Sequence, residues 1–429
     1  MSGKTVYVID GLRSPILKAR GRSGPFTASD MSLSVARALL SKHSECADKI
    51  DEIILGCVMP RADEVNIARL IGLRLDLPES IPAWTVQRNC ASGMQALDSA
   101  MGQIQLNHSN LILAGGVEAM SHAPLLFREE YVHWLADLAK AKSFQKKLQA
   151  ITKFRPGLLK PIIGLLCGLT DPTVNMSMGQ TAEKIAHRFN ISRAAMDEFA
   201  IRSHLRLTQA QQDDVFQQEI EPLYDKHGKL YEFDDGVRPD SSIDKLAKLR
   251  AVFDKPYGKV TAGNSAQISD GAAWLLLASE KAVKQYDLSP LAKLTSCHWA
   301  GLDPSEMGLG PVHATDKLLK KNKLVLEDID YWELNEAFAG QVLACLAAFN
   351  DEDYCQEKLN NKSAWGEIDQ EKLNIHGGAV SCGHPVGMTG ARIVLHMIHT
   401  LKQNNAHRGV ATLCIGGGQG GAMLVETMQ

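Results

Sequence analysis

A repeat limits the folds open to this chain. Residues 50–58, IDEIILGCV, pair with 329–338, IDYWELNEAF, and the stretch 93–120, GMQALDSAMGQIQLNHSNLILAGGVEAM, pairs with 387–423, GMTGARIVLHMIHTLKQNNAHRGVATLCIGGGQGGAM. Each copy reads as strand, loop, helix, strand, then a glycine turn ending in Ala-Met. A duplicated unit buries its apolar faces by stacking on its twin, so loops after equivalent strands converge on one place. Elsewhere β-branched runs such as VYVID precede helical runs such as SLSVARALLSKH, which predicts a layered α/β protein. Two halves are expected, residues 1–285 and 286–429, with a subdomain of helices and polar loops at 121–255 inserted in the first.

The 429 residues carry a formal net charge of -3 with 22% charged residues, which gives no overall attraction to nucleic acid. Thr5 to Ile9 form a short apolar run with neither the long apolar core of a signal peptide nor the Arg/Ser pattern of a transit peptide. No run approaches the roughly 18 apolar residues of a spanning helix. A cytoplasmic protein is expected. The nine cysteines are an odd, scattered set without a C-x-x-C pair, which suits free thiols in a reducing compartment. Leu138 to Thr170 holds seven lysines and arginines, no acid, and the apolar LLKPIIGLLCGL. A solvated basic helix accounts for that pattern as well as a hairpin that docks on a membrane surface or a partner.

Four stretches read as loops after strands: NCASG around Cys90, NEAFAG (335–340), HGGAVSCGHPVG (376–387) and CIGGGQGG (414–421). Cys90 precedes a helix, where unpaired N–H groups and the helix dipole favour a thiolate, so its pKa is expected to fall. The other readings are a small buried hydrophobe and a metal ligand. His384 sits on a turn between Gly383 and Pro385, and the nearby Cys382 raises a metal reading that clustered ligand pairs do not support. Gly416, Gly418 and Gly421 mimic a dinucleotide fingerprint, but the second strand and the acidic residue it requires do not follow. What remains is a turn of exposed N–H groups beside Cys414, suited to an oxyanion hole or to tight packing. Asn335 and Glu336 are expected to project from a strand tip, Glu336 as an exposed carboxylate.

These four blocks in this order, with GGVEAMSHAP and TAGNSAQISDGAA, resemble the thiolase family over essentially the whole chain. The resemblance implies a duplicated five-layer α/β/α/β/α fold and reversible Claisen chemistry on acyl-CoA. It implies that Cys90 is acylated, that His384 activates it, and that Cys414 moves protons at the acetyl-CoA carbon and the CoA sulfur. His384 with a water held by Asn335 would stabilise an enolate, and the N–H groups of Cys90 and Gly416 a tetrahedral oxyanion. Coenzyme A is then a substrate, with Arg238, Phe253, Ser265, Met178 and Phe338 as its expected contacts and no metal or permanent cofactor. The segment after SHAP and the polar 350–372 are similar to the β subunit of trifunctional fatty-acid oxidation complexes. That likeness implies 3-ketoacyl-CoA substrates, a homodimer or homotetramer, a hydratase/dehydrogenase α-subunit partner and contact with a membrane through Leu138 to Thr170. The rival readings are an acetoacetyl-CoA thiolase running in the condensing direction, a β-ketoacyl synthase relative, and a silent scaffold or membrane-docking subunit.

Overall fold

Side chains alternate between the two faces of each strand, and because the central strands are buried on both faces, this alternation builds the layers. In a computed structural model describing residues 4–428, the long strands are β1 (Val6–Arg13), β2 (Glu52–Gly56), β3 (Ala83–Val86), β4 (Leu111–Ala119), β5 (Ser269–Ser279), β6 (Ala292–Gly301), β7 (Tyr331–Leu334), β8 (Arg408–Ile415) and β9 (Gln419–Thr427). With the short Leu17–Lys18 strand on β5 they form one ten-stranded sheet, ordered β7-β8-β9-β6-β1-β5-β4-β2-β3. The halves meet where β1 pairs antiparallel with β6, Val6 opposite Leu294 and Val8 opposite Ala292.

About that seam the topology repeats. β2 runs parallel to β4 and β4 antiparallel to β5, just as β7 runs parallel to β8 and β8 antiparallel to β9. In the second half a single parallel bridge, Trp332 to Leu373, stands where β3 stands in the first.

Three cores fill the space between the layers. Helix α1 (Ala28–Lys42) covers the outer face of the first half, where Met31, Val35 and Leu39 meet Ile53, Leu55, Trp274 and Leu276. Helices α2 (Ser92–Gln105) and α5 (Val386–Gln403) lie side by side in the middle, where Met94, Leu97, Leu395 and Met397 meet Ile54, Leu275, Leu413 and Met423. Helices α3 (Gly310–Asn322) and α4 (Ala339–Asn350) belong to the third core, with Val312, Leu318, Val342 and Phe349 beside Val410 and Leu424. Neighbouring strand residues thus serve different cores, Ile54 inward and Ile53 and Leu55 outward. The result is the five-layer arrangement expected.

One expectation fails. Gly115 and Gly116 lie inside β4 rather than in a turn, because other backbone closes on them: a Cβ at Gly115 would lie 2.1 Å from the Ala273 carbonyl oxygen, and at Gly116 2.2 Å from that of Gly387. The glycine turn exists only in the second copy, between β8 and β9.

The chain leaves the sheet after Ala119 and returns at Ser269. In between, Leu125–Leu126 pairs with Ile162–Ile163 at the base of a lobe with helices Glu129–Lys140 and Phe144–Thr152. Helices Met178–Arg188 and Arg193–Gln212 follow, started by the side-chain caps Ser177 and Ser192.

The α2–α5 contact has no room for an added methyl group. A Cβ at Gly390 would lie 2.5 Å from the Met94 nitrogen. Gly390→Ala is expected to lose about 1–3 kcal/mol of stability, as overpacked core sites do, despite the better helix propensity of alanine; thermal and urea denaturation measure it.

Candidate active site

Cys90 lies between β3 and α2, in a loop pinned from several sides. Asn89 has φ +43°, and its Nδ2 donates to the Gly416 carbonyl at 2.8 Å. Ser92 Oγ accepts the Arg88 N–H at 2.9 Å and donates to the Asn89 carbonyl at 2.8 Å. The Cys90 loop of one half is therefore tied to the glycine turn of the other. Both the Gly416 N–H and the Cys90 N–H point at the Cys90 sulfur, yet burial outweighs them and pushes the thiol up. The lowered pKa expected from the helix terminus is not what the site provides; Cys90 rests as a thiol and needs a base to activate it.

An imidazole lies in the same cavity. His384 follows Gly383, whose φ of +111° no residue with a Cβ adopts readily. Thr389 Oγ1 donates to the Pro385 carbonyl at 2.9 Å and lies 2.7 Å from His384 Nδ1. With its one proton committed, the hydroxyl accepts from Nδ1–H, which leaves Nε2 as the free lone pair. Asn335 Nδ2 faces that Nε2 at 3.5 Å. Burial and the Arg392 charge depress the imidazole to about 3, so at neutral pH it is an unprotonated acceptor. Asn335 is 1% exposed, its Oδ1 without a partner.

Cys414, the penultimate residue of β8, is buried, its thiol raised well above the usual range by desolvation and by the adjacent Cys90 and Cys345. Glu336 reverses the expectation of an exposed carboxylate, being 1% exposed. It accepts Ser203 Oγ at 2.6 Å, Asn374 Nδ2 at 2.9 Å and the Val380 N–H at 3.2 Å. The carboxylate thus ties a helix of the insertion to the turn before His384, and burial raises its pKa.

Cys90, His384 and Cys414 line one cavity of about 490 Å³, together with Met178, Phe253, Phe338, Ser265 and Arg238. Phe253 meets Phe338 edge-on at 5.9 Å. Ser265 lines the cavity, but its hydroxyl donates to the Thr261 carbonyl at 2.6 Å and is spent on its own loop. Gly416 contributes its backbone at the Cys90 sulfur. Cys382 is buried against the Gly383 carbonyl, and among the described residues no group of three His, Cys, Asp or Glu is placed to hold a metal.

Sequence reasoning passed over Thr389, Lys18 and Gln267. Thr389, five residues past His384 on the next helix turn, was legible from spacing. Lys18 lines the cavity near Arg238, with its ammonium lowered by desolvation and by that neighbouring charge. Gln267 donates to the Gly236 carbonyl at 2.8 Å, and its own carbonyl accepts the His384 N–H at 3.1 Å; no local pattern announced either.

The chain matches the thiolase N-terminal domain over residues 6–281 and the thiolase C-terminal domain over 288–427. The chain belongs to the thiolase family. As a thiolase it is an acyltransferase, and its fold repeats that of human mitochondrial 3-ketoacyl-CoA thiolase in complex with CoA, with a TM-score of 0.84 and 34% identity over 99% of this chain and 98% of that one. It is 39% identical over 434 residues to a 3-ketoacyl-CoA thiolase of Photorhabdus laumondii, covering 99% of this chain and 100% of the relative. A Pseudomonas aeruginosa β-ketoadipyl-CoA thiolase is 38% identical, with 99% of each covered. The mitochondrial trifunctional enzyme subunit beta of Bos taurus is 35% identical, with 99% of this chain and 88% of the relative covered.

The Thr389 hydroxyl sets the His384 tautomer in this thiolase. Thr389→Val is expected to slow single-turnover acylation of Cys90 roughly tenfold, the worth of one such hydrogen bond, with little change in substrate affinity; rapid-quench mass spectrometry of the acyl-enzyme checks it.

Proposed function

We propose that the protein is a 3-ketoacyl-CoA thiolase, using coenzyme A to cleave 3-ketoacyl-CoA into acetyl-CoA and a shortened acyl-CoA in fatty acid β-oxidation. The observation that carries this reading is the convergence of Cys90, His384 and Cys414 on one cavity, with Asn335 against His384. Cys90 Sγ attacks the 3-keto carbon while its proton passes to His384 Nε2. The oxyanion on that carbon accepts the N–H groups of Cys90 and Gly416. The C2–C3 bond breaks, and the acetyl-CoA enolate lies against the His384 imidazolium and the Asn335 amide. Cys414 protonates C2 and becomes a thiolate. It then takes the thiol proton of coenzyme A, a transfer between groups of similar pKa. The CoA thiolate attacks the acyl-enzyme and expels Cys90, which recovers its proton from His384.

The raised thiols of both cysteines fit this cycle, because each thiolate appears only when a neighbour is ready to take or supply the proton. The cavity wall favours an apolar acyl chain: Met120, Leu166, Leu169, Met307 and Val386 line it, and its cations, Lys18 and Arg238, stand near one another. A paired cation site suits phosphate groups of coenzyme A, whereas a dicarboxylic acyl chain needs its own cation.

The same reading includes a membrane-facing role for the lobe between Leu125 and Gly168. Phe144 is 81% exposed, and Leu125, Phe127, Val132, Leu148 and Ile151 are exposed as well, beside the lysines of 140–153. Among the described residues no helix is long and apolar enough to cross a membrane, so the contact proposed is peripheral. Assembly as a homodimer or homotetramer, with an α-type subunit, is proposed from the likeness to trifunctional β subunits.

With coenzyme A, the purified protein is expected to release acetyl-CoA from apolar 3-ketoacyl-CoA substrates, longer chains turning over better than acetoacetyl-CoA or 3-ketoadipyl-CoA. Cys90→Ala is expected to abolish turnover. A preference for 3-ketoadipyl-CoA, or full activity in Cys90→Ala, overturns the reading. Flotation with anionic vesicles is expected to carry the protein upward at low salt and to fail when Lys140, Lys142, Lys146 and Lys147 are changed to glutamate.

A further inference from the structure

We propose that Glu118 is a positioning residue for this thiolase: its buried carboxylate grips the first turn of α5 and so holds His384 in register with Cys90. The inference rests on the roles given above to those two residues.

Glu118 is the penultimate residue of β4 and is fully buried. Its Oε2 accepts the Val58 N–H at 2.9 Å and the Gly387 N–H at 3.1 Å. Its Oε1 accepts the Met59 N–H at 3.0 Å and lies 3.9 Å from the Cys57 sulfur. One carboxylate therefore joins three segments: its own strand, the loop after β2 and the start of the helix that carries His384 three residues earlier. The fit requires bare backbone, since a Cβ at Gly387 would lie 2.7 Å from Glu118 Oε2 and 2.4 Å from the Val117 carbonyl oxygen. A negative charge is also well placed at the N-terminus of an 18-residue helix.

A carboxylate with four donors around it has a use for all its lone pairs. Protonation puts an O–H where an acceptor is needed and releases one of those N–H groups. The titratable groups facing it are Cys57 after β2, Asp270 on β5 and Cys90 before α2, with His384 on the turn it holds. None is a cation at neutral pH: burial holds the thiols up and His384 down. Desolvation, against three N–H bonds, brings Glu118 to about 7. The grip is therefore present above neutrality and weakens as pH falls through that value, a range in which His384 itself does not titrate.

The test is the rate of Cys90 alkylation by iodoacetamide, which needs no acyl substrate, together with thiolysis kcat and KM from about pH 6 to about pH 9. Wild-type protein, Glu118→Gln and Glu118→Asp are compared, with melting temperatures recorded. Glu118→Gln is expected to slow both alkylation and kcat roughly tenfold, to leave KM within about twofold, and to lose the acid limb near 7. Glu118→Asp, which keeps the charge but not the reach, is expected to keep that limb on a reduced plateau. If the carboxylate acted only through its charge, which raises the Cys90 thiol, the glutamine variant would alkylate faster; a faster or unchanged rate overturns the proposal. Should the variants fail to fold, a wild-type alkylation profile without an acid limb near 7 overturns it, and one with that limb supports it. Absence of thiolysis alongside a normal alkylation limb would count against the substrate reading and not against Glu118.

Discussion

The contact between α2 and α5 governs everything else. Two helices from opposite halves approach until backbone meets backbone: a Cβ at Gly93 would lie 2.8 Å from the Ala391 nitrogen, and Gly390 is as close to Met94. Each helix begins just after a reactive group, Cys90 before one and His384 before the other. Cys90 and His384, almost 300 positions apart in the chain, thus reach one cavity through packing of small residues, with no direct hydrogen bond needed between the two loops. The sheet contributes little to this alignment, because the halves share only the short β1–β6 seam.

Around that contact the site keeps its charges latent. Cys90 and Cys414 are held as thiols and His384 as neutral imidazole, all by desolvation. A permanent thiolate–imidazolium pair would be more reactive toward any electrophile; a latent one spends its reactivity on a substrate that fills the cavity and completes the proton path. The buried carboxylates Glu118 and Glu336 lie one shell further out, each tying together segments that present catalytic groups. Their desolvation costs stability, which their three-way hydrogen bonding offsets.

Much of this was readable before any coordinates. The repeat of 50–58 and 93–120 in the second half announced the paired architecture, because sheet and helix periodicities survive duplication. NCASG, NEAF and CIGGG marked strand-end loops through their small and turn-forming residues, whereas CGHPVG, read the same way, follows the short helix Ala379–Cys382 rather than a strand. What escaped was whatever depends on tertiary burial. The Cys90 thiol was misjudged because a helix terminus is a local feature and desolvation is not. Glu336 looked like a surface acid for the same reason, since its partners come from two distant stretches, Ser203 from one and Asn374 and Val380 from the other. Gly115 and Gly116 read as a turn because glycine marks both a bend and a place where another backbone passes, and only the neighbour distinguishes them. Arg238, Met178, Phe253 and Phe338 came from family likeness, and the structure sets them in the lining of one cavity; Ser265 joins them there with its hydroxyl bound to the Thr261 carbonyl.

The long excursion after β4 has an evolutionary reading. It hangs from two adjacent strand ends, Ala119 and Ser269, whose positions are set by the sheet and by helices it does not include. Its outer lobe, between Leu125 and Ile163, can therefore lengthen, shorten or exchange while the cysteines and the histidine stay where they are, whereas Ser203 of the same excursion remains bound to Glu336. A single reactive frame becomes an interchangeable chassis, on which appetite for different acyl chains and attachment to different cellular surfaces can diversify in one insertion without retuning the chemistry beneath.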